Sequence, residues 1–110
     1  MLDKYPKAVK KEIIRLIGVV YERELRKAQF GLLGDFAQWE AGELDAFELN
    51  ERIHVYHDET ARELWKRMGT VQPHADLCVA AAVRDGVLKR EEVTQQTRDA
   101  LESLIRSGLP

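Results

Sequence analysis

At 110 residues the chain has material for one hydrophobic core and not for two. Its 17 basic and 19 acidic side chains leave a formal net charge of −2, without the basic excess of a dedicated nucleic-acid binder, and no uncharged apolar run approaches the roughly 20 residues that span a bilayer. A single cysteine, Cys78, excludes an internal disulfide and fits a reducing, cytoplasmic setting, and no apolar run follows the charged start before Glu12, so no secretory leader is expected.

Hydrophobic spacing is three or four nearly throughout, and the prolines fall at 6, 73 and 110. The expectation is all-α: a bundle of four or five helices over residues 1–110, with a long N-terminal helix and a short C-terminal helix pair. Pro6 is placed to open the first helix. Ile14, Ile17, Tyr21, Leu25, Ala28, Leu32, Phe36 and Trp39 continue as one stripe, with Val9, Ile13, Leu16 and Val20 beside it in the first half. A helix patterned in this way packs on two neighbours early and on one later. Continuous from 7 to about 41, it would measure roughly 50 Å and overhang a domain of ordinary compactness. The alternative is a break at Gly31–Gly34 with Asp35 as a new cap.

Gly42 fits a left-handed stop after this helix, and Asp45 with Glu48 has the capping-box spacing. The next helix spans 46–68, either unbroken or restarted by an Asp58 cap at Glu59, and Gly69 ends it. After a connector over 70–72, Pro73 opens a helix over 74–85 whose Leu77–Val83 run is apolar all round, which places it centrally. Asp85-Gly86 makes the turn into a last helix over about 90–107. Glu91 and Glu92 would lie at its positive end, Arg106 at its negative end, and Gly108 after it.

Within 45–68, residues seven apart are Phe47, His54, Ala61 and Met68, and three further on lie Asn50, His57 and Leu64. Read as a regular helix, this is a seam facing a neighbour, with polar Asn50, His54 and His57 in its middle. A buried polar group needs a hydrogen bond or a metal. The first expectation is therefore a hydrogen-bonded polar layer that fixes register, shared with Tyr21 or Tyr56. Because imidazole titrates near neutrality, such a layer would make a pH-sensitive interaction module. The rival is one first-row transition metal ion on Glu51, His54, His57 and Asp58, since Glu-x-x-His spacing puts both ligands on one helix face. Ferritin-like di-iron proteins need that spacing on two helices, and here it occurs once. A calcium loop at Asp85–Glu92 fails because its first two ligand positions would be Ala81 and Val83.

Catalytic motifs are missing: Ser103 and Ser107 lie at the tail of the last helix, Cys78 sits in an apolar run, and no glycine-rich loop follows a strand. The sequence reads best as a non-enzymatic interaction module without a cofactor. Its expected partner is a second copy or another protein, bound through Phe30, Phe36, Trp39 and Trp65.

Overall fold

The computed structural model describes residues 2–69 and 74–108. The connector over 70–72 and Pro73 lie outside them. Helix α1 runs unbroken from Lys7–Glu40. It is followed by α2, Ala46–Val55, a π-helical turn over Tyr56–Ala61, α3, Arg62–Met68, α4, Ala75–Arg84, and α5, Gln95–Ser107. Short 3-10 turns cover Leu2–Lys4 and Arg90–Glu92. Among the described residues there is no strand, and no helix is long and apolar enough to cross a membrane.

The 34 residues of α1 span about 51 Å at 1.5 Å per residue, close to the 54 Å long axis of the molecule. The other two axes measure 23 and 21 Å. A radius of gyration of 17.1 Å exceeds the roughly 13 Å of a compact domain this size, so α1 overhangs its own core as its length implies. Gly31 and Gly34 do not break it. Both have helical backbone inside α1, and Asp35 instead accepts from Arg52 of α2 at 2.7 Å.

All the fully buried residues of α1 lie in its first half: Val9, Ile13, Leu16, Ile17 and Val20. There α1 packs against α3, α4 and α5. Ile13, Val79 and Leu101 are fully enclosed, and Leu16 and Leu88 nearly so. Helix α4 is central as its composition demands, with Ala75, Val79, Ala80, Ala82 and Val83 buried and Leu77, Cys78 and Ala81 half-buried. Beyond Val20, Arg23 still donates to Glu92 and to the Val87 carbonyl, and the rest of α1 runs beside the returning α2–α3 rod. Gly42 turns the chain at φ +79, and the Asp45–Glu48 capping box then forms in both directions: Glu48 N–H donates to Asp45 Oδ1 at 2.8 Å, and Asp45 N–H donates to Glu48 Oε1 at 3.2 Å. Leu44 and Leu49 are the buried residues of this end. The result is a two-helix arm projecting from a four-helix base.

Two expectations are corrected. The last helix begins at Gln95, not near 90, because Val93 is extended and Thr94 caps the helix, accepting from Thr97 N–H. Glu92 therefore does not sit on the last helix. It faces Arg23 of α1. The second rod neither breaks at His57–Asp58 nor runs as a regular helix; it widens into the π turn.

Candidate interaction surface

The π turn decides where the polar stripe points. In a regular helix Leu64 shares a face with Ala61, His57, His54 and Asn50. One extra residue in the turn rotates everything upstream by about 100°. The residues that face α1 are instead half-buried Tyr56 and buried Leu49, each one position earlier than His57 and Asn50, with Arg52 between them in its ion pair to Asp35. Asn50, His54 and His57 face away from α1, with the His54 and His57 side chains 69% and 81% exposed. Phe47, at the head of the stripe, is 86% exposed. Within one chain this stripe is no seam.

His54 and His57 do meet, through Asp58. Their Nδ1 atoms lie 3.2 and 3.1 Å from its two carboxylate oxygens. The contact to His57, with both imidazoles and Arg62 nearby, holds the Asp58 carboxyl below its ordinary range. Glu51 does not share these contacts. It lines a groove between the distal half of α1 and α2 with Ala28, Gly31 and Tyr56. No group of three or more His, Cys, Asp or Glu among the described residues is arranged to hold a metal ion.

The four aromatic residues singled out in the sequence are all solvent-exposed but do not form one patch. Phe36 and Trp39 stack edge to face, with centroids 6.5 Å apart and planes at 86°. Phe30 instead joins Leu33 beside Arg26 and Gln29, and these two are 63% and 61% exposed. Trp65 lies on α3 in a shallow depression with His57 and Asp58, its indole laid against Gly69. A Cβ at Gly69 would fall 2.3 Å from Trp65 Cδ1, so a side chain there displaces the ring.

Two further features concern the placement of charge. Between Ala28 and Glu51 the chain holds six acids, Asp35, Glu40, Glu43, Asp45, Glu48 and Glu51, and neither lysine nor arginine. The opposite end carries Lys4, Lys7, Lys10, Lys11 and Arg15. A count by segment would have found this separation, which the net charge of the whole chain conceals. The base also contains a buried carboxylate: Asp76, 5% exposed, accepts from Tyr5 Oη at 2.6 Å and from Leu77 N–H at 2.9 Å. Burial and this hydrogen bond push the Tyr5 phenol up.

A cleft of about 270 Å³ opens in the base between α1, α3 and α4, lined by Val20, Met68, Leu77 and Cys78 with Glu24 and Arg67. Burial pushes the Cys78 thiol up, which disfavours the thiolate that nucleophilic chemistry needs. The geometry therefore offers exposed apolar helix faces and segregated charge more readily than a constellation of reacting groups. Comparison with protein families, with characterised proteins and with solved structures finds no match to this chain.

Proposed function

We propose that this protein is a non-enzymatic helical interaction module whose arm pairs with another helical chain, most simply a second copy. The observation that carries this reading is the arm itself. It is a layer of two helices in which α1 buries no residue fully beyond Val20, while Phe30, Leu33, Phe36, Trp39 and Phe47 are exposed. A two-layer solution is what such faces ordinarily find, and aromatic side chains supply large contact areas at interfaces. Sedimentation of the wild-type chain should show mass rising with concentration. The double replacement Phe30→Glu with Leu33→Glu should hold the chain at monomer mass with its helical circular dichroism intact. A wild-type chain that stays monomeric throughout the concentration range sinks self-association.

A second reading rests on Asp58, whose one carboxylate contacts two imidazoles. That cluster would make the module responsive to protons or to a first-row transition metal ion. Native mass spectrometry with and without chelator separates the two readings. Metal bound by the wild type and lost from His54→Ala supports the cluster. A metal-free spectrum unchanged by the replacement leaves the arm as the active surface.

A further inference from the structure

The outer side of α1 is self-complementary when two copies run antiparallel, and we propose that this side is the dimer seam. The inference rests on the arm-pairing reading above and specifies its partner and register. In steps of three and four, Lys11, Arg15, Gly18, Glu22, Leu25, Gln29, Leu33, Phe36 and Glu40 fall on one side of a straight helix. All are exposed except Leu25, which is half-exposed. Lay a second copy alongside with its direction reversed and its dyad between Leu25 and Arg26. Each position then meets the one whose number brings the sum to 51.

That single register pairs the four layers on either side of the dyad. Lys11 meets Glu40, and neither has an ion-pair partner among the described residues of its own chain. Arg15 meets the ring of Phe36, a cation over an aromatic face. Leu33 meets Gly18, where an added Cβ would touch nothing within 4 Å, so a knob faces an empty hole. Glu22 meets Gln29, which supplies an amide donor. At the dyad Leu25 meets the stem of Arg26, whose guanidinium is held by Glu22 of its own helix at 2.6 Å.

Two oddities of the single chain then have a reason. Gly18 is an exposed mid-helix glycine, a poor helix former, and among the described residues no neighbour in its own chain requires it. The ends of α1 are also charged against its dipole: Lys7 and Lys10 lie in its first turn, and no basic residue occupies its last, where Glu40 stands. Helix dipoles favour the reverse arrangement. In the antiparallel pair the lysines of one copy lie against the negative end of the other, and the two dipoles oppose.

The test is dimer affinity by sedimentation equilibrium at low salt, where exposed charges are least screened. Lys11→Glu and Glu40→Lys should each weaken the dimer by roughly tenfold, and the double replacement should restore it to within about twofold, since both symmetric pairs change together. Phe36→Glu should be tolerated opposite Arg15, whereas Phe36→Lys should dissociate the pair; a merely apolar contact would lose affinity in both. Gly18→Leu should raise the melting temperature of the dilute monomer while abolishing the dimer. In a Cys78→Ser background, Gly18→Cys with Leu33→Cys should form an interchain disulfide under mild oxidation. A dimer indifferent to the charge reversals that forms no such crosslink overturns this seam and leaves arm pairing standing. A chain that never dimerises overturns both.

Discussion

Arg23 holds both carboxylate oxygens of Glu92 at 2.8 and 2.6 Å, and Lys89 N–H donates to the same group at 2.9 Å. The guanidinium and that backbone donor bring the Glu92 carboxyl down to about 2. A carboxyl depressed on folding stabilises the folded state above its unfolded value and loses that contribution as the pH falls through the folded one. The window therefore lies between about 4.5 and about 2. Glu92→Gln should lower the urea midpoint at pH 6, with the gap from wild type closing as the pH falls to 2.5. An equal gap at both pH values would assign the loss to packing. Tyr5→Phe tests a different economy, because it leaves the buried Asp76 carboxylate without its phenolic donor. A hydrogen bond to a charged group contributes roughly 1.5–3 kcal/mol, so denaturant unfolding of Tyr5→Phe should show a loss of about 2 kcal/mol. A loss under about 0.5 kcal/mol would mean that water replaces the hydroxyl. These pairs also mark what a sequence shows at this scale. The Asp45–Glu48 box is legible because its members lie three residues apart and its geometry is purely helical. Tyr5–Asp76 and Arg23–Glu92, with sequence separations of 71 and 69, depend on how helices fold back and leave no local signature.

Periodicity makes the elements legible, and the same periodicity misleads at the π turn. The long stripe of α1, the Gly42 stop and the apolar run of α4 were each readable because a helix repeats at 3.6 residues and ends at predictable residues. With that repeat unbroken over 46–68, Asn50, His54 and His57 would share the face of Leu64; the π turn sets them on another. An extra residue within Tyr56–Ala61 lets Leu49 and Tyr56 upstream and Leu64 and Met68 downstream face α1 together. Nothing in the composition of Tyr-His-Asp-Glu-Thr-Ala marks such a turn, because its cause is the need to satisfy two packing surfaces at once. Removing one residue there should consequently restore a regular helix with both apolar stripes still aligned. Deletion of Glu59, exposed in the turn, should give a cooperative melt within about 5 °C of wild type, a shift of about 1 kcal/mol. Loss of cooperative melting on that deletion would show that the turn is required for its own sake. The last helix gives a smaller instance of the same lesson: helix-forming residues from Arg90 onward are overruled by the Thr94 cap and by Glu92 turning toward Arg23.

Across the whole molecule, stability is distributed as unevenly as burial. The base encloses Ile13, Val79 and Leu101 completely, whereas the arm rests on Leu44, Leu49 and the Asp35–Arg52 pair. The overhang itself was foreseeable, since 34 helical residues cannot fit inside a domain of this mass. The acidic arm and basic base were equally present in the sequence but vanish in a net charge of −2. Backbone amides open with free energies that follow local packing, so in dilute solution the arm should exchange its hydrogens well before the base. Mass action predicts how pairing changes this: a partner present at ten times its dissociation constant slows exchange from the unpaired state about elevenfold. Hydrogen exchange on the same protein at two concentrations straddling the dissociation constant should therefore slow the amides around Leu33 and Trp39, with those around Leu101 nearly unchanged. Uniform slowing would mean that the chains associate by folding together. Arm protection independent of concentration would mean that α1 and α2 stabilise each other without a partner, and would remove the arm as the working surface of this protein.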